Sequence, residues 1–234
     1  MSTPSSRFLE ALLGERAHTG TQTGWLGRLR SDALERANAL GVPTPRDEDW
    51  RFTDLAPLPR LSFQPVRQPA LLDAGTLRAR FIPEACARLV FVDGLFAPEL
   101  SRLAADNGVV VSELQAGLRG AQTAAIEAHL GRLAPFDNDV FAALNTAFLG
   151  HGAAIVLQAE AALAEPVHIL HLATRREEAH AIYPRTLIVA GARSRLALVE
   201  DFIGLEDAAY FSAPVTEIAL GREAAVAHVR LQRE

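Results

Sequence analysis

Thr186-Leu-Ile-Val-Ala-Gly191-Ala-Arg-Ser-Arg-Leu-Ala-Leu-Val-Glu200 lies without a gap over Thr216-Glu-Ile-Ala-Leu-Gly221-Arg-Glu-Ala-Ala-Val-Ala-His-Val-Arg230. In both copies a Gly-x-x-small corner separates two apolar runs. The runs belong to a series: Ile155 to Leu157, Val167 to Leu172, Leu187 to Val189, Leu196 to Val199, Val215 to Ile218 and Ala225 to Leu231. Each is short, rich in Val, Ile and Leu, and bounded by Gly, Pro, Ser or charged residues, which predicts strands. A repeat of this period marks a solenoid, whose coils bury their apolar faces only by stacking. Pro166, Pro184 and Pro214 each precede a run, where a missing N–H costs no ladder bond. The competing arrangement is an antiparallel sandwich. Against it, no Asn-Gly or Asp-Gly hairpin signal falls between the runs.

The expected fold is therefore mostly β. A right-handed parallel β-helix spans residues 151–234, preceded by a mixed, largely helical domain over 1–150 with a β-hairpin near 88–97. One phase is undecided. Leu196 and Leu198 align with Val226 and His228, whereas alternation within the last run favours Ala227, Val229 and Leu231 as its inward set. A one-residue slip reverses every side chain, so the facing of His228 stays open. Only Gln232-Arg233-Glu234 follows that run. The expectation is a solenoid cut short, its open end covered by a partner or by further coils of a longer chain.

Composition excludes several chemistries. The 23 basic residues are all Arg and stand against 28 acidic ones, for a net charge of −5. That balance gives no electrostatic case for nucleic acid or anionic membrane. Without lysine there is no Schiff-base lysine, P-loop lysine or kinase-type phosphate lysine. Cys86 is the single cysteine. It permits no intramolecular disulfide and no cysteine-built zinc or iron–sulfur site on this chain alone, and it suits a reducing compartment. The start, Met-Ser-Thr-Pro-Ser-Ser-Arg, lacks the apolar stretch of a signal peptide, and no run is long enough to span a bilayer. A soluble, cytoplasmic protein is expected.

Ahead of the strands, Phe8, Leu9, Leu12 and Leu13 predict a short amphipathic helix. Leu26, Leu29, Ala33, Ala37 and Leu40 predict a second, with Arg28, Arg30, Glu35 and Arg36 on its other faces and Gly41 and Pro43 as its stop. Pro43 to Pro59 carries four prolines and reads as a loop pinned by Trp50, Phe52, Leu55 and Leu58. Arg88 to Val92, Asp93-Gly94 and Leu95-Phe96 predict a type I′ hairpin, with a third strand at Val109 to Val111. Ile126, Leu130 and Leu133 form one helical stripe. Val140, Phe141, Leu144, Ala147 and Phe148 form another, entered at Asp137-Asn138 and ended by Gly150.

Candidate chemistry is sparse. His168 and His171 are three apart on a strand, so they point to opposite faces and share no ion. His151 reads as a turn residue, His180 as part of a polar loop, and Cys86 as a small buried thiol. Glu177-Glu178 follows Arg175-Arg176 in a solvated loop. Glu200 and Asp201 are adjacent on a strand and face opposite ways, whereas paired-carboxylate catalysis needs two groups across a cleft. No catalytic, cofactor-binding or metal residue is assigned, and a non-enzymatic role is expected.

Four stretches carry a resemblance. Pro43-Thr-Pro-Arg-Asp-Glu-Asp-Trp-Arg-Phe-Thr-Asp-Leu55 resembles the Glu-x-Trp-Arg/Lys-aromatic-Thr/Ser motif of SufD-type members of the SufB/SufD family, subunits of the SUF iron–sulfur cluster assembly system. Arg88-Leu-Val-Phe-Val-Asp-Gly94 with Pro98-Glu-Leu-Ser101, Ala143-Leu-Asn-Thr-Ala147, and Pro184-Arg-Thr-Leu-Ile-Val-Ala-Gly191 are similar in the same order. The resemblance implies a scaffold subunit acting with SufB and the ATPase SufC, on which nascent clusters form and are passed on, the Fe–S cluster being shared with SufB. A homodimer through the β-helix is a further expectation. Family chains run on through more coils to a C-terminal helical domain, so no residue role is carried over. The competing function is a β-helical carbohydrate-active enzyme, lyase-like, with a groove along the coils.

Overall fold

A computed structural model describes residues 24–55, 57–58, 63–106 and 108–234. The helix expected around Phe8 to Leu13 lies outside them. Helix α1 (Trp25–Leu40) ends at Gly41, which takes φ 73°. Arg30 is buried beside Ala33 and Ala37 on its packed face, not on the polar side expected of it. The proline-rich loop is anchored as expected through Trp50, whose ring meets Phe141 at 5.0 Å, and through Leu55 and Leu58. Phe52 is not an anchor: it is 93% exposed.

Next come β1 (Gln64–Pro65), the single turn α2 (Ala74–Leu77), the hairpin of β2 (Ala87–Val92) and β3 (Leu95–Phe96), and then β4 (Ala105–Asp106) and β5 (Val109–Glu113). Asp93 and Gly94 both have positive φ, 51° and 82°, as a type I′ turn requires. The helices α3 (Leu114–Gly117), α4 (Thr123–His129) and α5 (Val140–Ala147) follow. Asp139, not Asp137-Asn138, caps α5, its carboxylate accepting from the N–H groups of Phe141 and Ala142. Leu133 is 46% exposed, because α4 stops before it.

From residue 153 the chain makes β6 (Ala153–Leu157), β7 (Val167–Ala173), β8 (His180–Ile182), β9 (Arg185–Ala190), β10 (Arg195–Gly204), β11 (Tyr210–Ser212), β12 (Val215–Leu220) and β13 (Ala225–Arg233). Every pairing among these strands is parallel, which removes the antiparallel sandwich. They visit three sheets in rotation, ordered β12-β9-β6-β5-β4, β13-β10-β7-β2-β3 and β1-β8-β11. The gapless overlay of the sequence is also the register: Thr186 pairs with Thr216, and Leu198 with His228. Pro166, Pro184 and Pro214 each stand immediately before a strand.

The corners explain the glycines. A Cβ on Gly191 would lie 2.6 Å from the Ala159 nitrogen, and one on Gly221 would lie 2.7 Å from the Ala192 nitrogen. Each corner therefore rests on the backbone of the one before it. Gly191 N–H donates to Leu157 O and Gly221 N–H to Ala190 O, at 2.9 and 2.7 Å. Arg193 and Glu223, thirty residues apart, both adopt the left-handed region, as does Glu160 one corner earlier.

The central core joins Leu89 and Phe91 of β2, Val109 and Val111 of β5, Ile155 and Leu157 of β6, Val167 and Ile169 of β7, Ile188 of β9, and Leu196 and Leu198 of β10. It runs across residue 150 without a break. Each large side chain so buried contributes about 1.5–3 kcal/mol. Two outer clusters seat the helices. Leu114, Ile126 and Leu130 cover Ala154, Val156 and Leu187; Ala37, Val140 and Leu144 pack with Phe63, Tyr183 and Phe211.

Gly191→Ala forces backbone apart and is expected to cost about 1–3 kcal/mol. Gly150→Ala, whose added Cβ would meet only Phe148 O at 3.6 Å, is expected to stay within about 0.5 kcal/mol of wild type. Urea unfolding of both variants measures the difference.

Candidate functional site

On β10 the adjacent carboxylates of Glu200 and Asp201 face opposite sides, as alternation dictates, and each collects its own partners. Glu200 points inward with Leu196 and Leu198 and is 1% exposed. The hydroxyls of Thr186 and Thr216 donate to its two oxygens at 2.7 and 2.9 Å. His228 Nε2 lies 3.1 Å from Oε2, and His171 Nε2 lies 3.8 Å from Oε1. The His171 ring is stacked between Phe91 and Phe202, with centroids at 5.1 and 4.6 Å. Burial pushes the Glu200 carboxyl up, but the neighbouring imidazoles and the Thr186 hydroxyl outweigh it and hold the group well below the usual carboxylate range.

The facing of His228 is thereby decided. It follows Leu198 inward, while Val229 and Leu231 are 51% and 40% exposed. The alternation that favoured Ala227, Val229 and Leu231 does not hold, because the register with β10 sets His228 beside the inward Leu198.

Asp201 and His168 lie on the outer face. The Arg233 guanidinium donates to Asp201 through two nitrogens. His168 Nε2 sits 3.8 Å from the same carboxylate, while its Nδ1 accepts the Ile82 N–H at 3.4 Å. Protonating His168 would turn that acceptor into a donor facing a donor. Burial, with the charges of Arg88 and Arg233, pulls its pKa down to about 4 despite Asp201. His168 and His171 thus stand on opposite faces.

The other candidates are scattered. His180 is not in a polar loop: it lies on β8, 2% exposed, with Nε2 3.3 Å from Asp93. Asp93 also accepts from Thr174 and Arg176, tying the β2–β3 turn to the segment after β7. His151 follows α5, 3.4 Å from Glu113. Cys86 donates toward the Glu165 carbonyl, and burial pushes its thiol up. Glu177 and Glu178 are exposed.

One network went unforeseen. Glu217, 1% exposed, accepts the N–H groups of Gly131, Arg132 and Leu133 and the Arg185 guanidinium, which in turn donates to Asn145. The available signal was Glu217, a lone charge inside the apolar run Val215 to Ile218, with Arg185 just ahead of the run it aligns with. Among the described residues, no three His, Cys, Asp or Glu side chains are grouped so as to hold a metal ion.

Residues 15–169 match the family described as the SufBD protein N-terminal region, and residues 171–234 match the SUF system FeS cluster assembly SufBD core domain. The chain belongs to the SufBD family. It is 30% identical to an iron–sulfur cluster assembly SufBD family protein of Synechocystis, over 99% of this chain and 53% of that protein. It is 24% identical to the iron–sulfur cluster assembly protein SufD of Escherichia coli, over 86% of this chain and 45% of that protein. The chain spans about half the length of these curated relatives. The two matches together cover the four motif stretches quoted above.

The two titrating groups separate by pH. His168 has a depressed folded pKa, so the unfolded state binds the extra proton and stability falls as pH drops from about 6.5 towards 4. Glu200 is also depressed; its contribution is present above the unfolded value of about 4.3 and is lost below it. In unfolding titrations from pH 7 to 3, His168→Gln is expected to flatten the upper window, and Glu200→Gln to flatten the lower.

Proposed function

We propose that this chain is a non-catalytic scaffold segment of the SUF iron–sulfur assembly complex. It acts in the cytoplasm with SufB and the ATPase SufC, and the nascent cluster is its cargo. In this reading residues 1–150 form the helical and mixed part, and 151–234 the first coils of a right-handed parallel β-helix. The observation that carries the proposal is the pair of family matches over residues 15–169 and 171–234, in the order of the SufBD family. The rotation of parallel strands through three sheets supports the solenoid.

The carbohydrate-active alternative finds no favouring observation: Glu200 and Asp201 lie on opposite faces of one strand, and Glu200 is closed in by its hydroxyl and imidazole neighbours. In addition, no helix among the described residues is long and apolar enough to cross a membrane.

The complete reading frame, tagged and co-expressed with SufB and SufC, is expected to retain both subunits through size exclusion. Loss of both partners, with the protein folded, would remove the proposal.

A further inference from the structure

The turn after α4 gathers its main-chain N–H groups onto one carboxylate. Gly131 N–H donates to Glu217 Oε2 at 3.0 Å, and the N–H groups of Arg132, Leu133 and Ala134 converge on Oε1 at 3.0, 2.9 and 3.3 Å. Arg185 directs Nε and Nη2 at Oε2, at 3.0 and 2.5 Å. Two oxygens thus receive six donors, with Glu217 1% and Arg185 0% exposed. A group that satisfies this set needs acceptors at both positions and no proton of its own. A carboxylate meets that demand, whereas an amide would turn its NH₂ towards donors.

The donors are positioned by contacts other than those to Glu217. Gly131 takes φ 73°, and successive N–H groups beside such a left-handed residue converge, as in anion-binding nests. Leu130 N–H donates to Ile126 O at 2.8 Å and Arg132 N–H to His129 O at 3.1 Å, so the turn continues from α4. The Leu130 side chain is buried in one cluster with Ile126 and Leu149. Arg185 is held from another side. Its Nη1 donates to Asn145 Oδ1 at 2.9 Å, and the Asn145 amide donates to Pro184 O and Ala213 O, both at 2.7 Å. Glu217 itself arrives on β12, 83 to 86 residues after the donors of the turn.

We propose that the 130–134 turn and Arg185 form a binding site for one carboxylate group, set up before β12 stacks, and that Glu217 is its tethered ligand. Pairing of β12 with β9 delivers the carboxylate, and the turn, α4 and the parallel strands then close as one unit. Glu217 is in this sense a latch between the helical part and the strands. The latch lies within this chain and does not rest on the scaffold reading.

Chemical rescue tests it on the full chain. Glu217→Ala removes Cγ and the carboxyl group, the heavy atoms of acetate, and propionate is one methylene too long for the space. Variant and wild type are refolded in sodium acetate, propionate or chloride at equal ionic strength, and exchange of the Leu133 amide is followed by NMR. In chloride the variant is expected to exchange there about ten- to a hundredfold faster than wild type, the worth of one hydrogen bond to a charged group. Acetate is expected to restore protection saturably, and propionate less well. Glu217→Gln keeps the volume and fills the site, so acetate is expected to leave it unchanged. Should Glu217→Ala fold only with an anion present, folding in acetate and not in chloride is the same rescue. The proposal fails if Leu133 stays protected in chloride, if acetate acts no better than chloride, if propionate acts as well as acetate, or if acetate protects the Gln variant equally.

Discussion

The backbone-on-backbone contact at the Gly191 and Gly221 corners fixes the geometry on which the rest depends. A methyl group at either position would fall within 3 Å of main-chain atoms of the preceding corner. The corners therefore stack at a set height, and the hydrogen bonds between successive corners permit one register. From that register it follows that Thr186 lies beside Thr216 and Leu198 beside His228. A slip of one residue would place Asp201 where Glu200 now meets its donors.

Glu200 and Glu217 are buried where stacking supplies partners from other strands. Glu200 on β10 is served by β9, β12, β13 and β7, and Glu217 on β12 by the loop after α4 and by Arg185 on β9. Neither carboxylate could be satisfied within its own strand. Removing one member of such a buried pair costs about 3–5 kcal/mol, because an uncompensated charge remains. These side chains therefore act as tests of correct stacking as much as sources of stability.

Much of this was legible in the sequence, for identifiable reasons. Two of the three sheets are built mainly from strands rich in Val, Ile, Leu and Ala, and these were found with their corners. The third sheet was missed. β8 (His180–Ile182) and β11 (Tyr210–Ser212) are three residues each and partly polar, too short for alternation to register, so His180 was assigned to a loop. Leu133 continued a helical stripe in spacing but not in structure, since its backbone N–H is used to bind Glu217. Phe52 belonged to an aromatic motif whose other members pack, and spacing in an irregular loop does not say which ring turns outward. The opposite facing of His168 and His171, and of Glu200 and Asp201, was predictable because strand alternation is geometric. Their partners were not, since they come from other strands, 14 or more residues away in the chain.

Amide-edited NOE spectroscopy on deuterated protein tests the stacked register most directly. The account predicts main-chain contacts of parallel pairing between Thr186 and Thr216, Ala197 and Ala227, and Val199 and Val229. Close Hα–Hα pairs of antiparallel ladders among β9, β10, β12 and β13, or the same parallel contacts displaced by one residue, would contradict it.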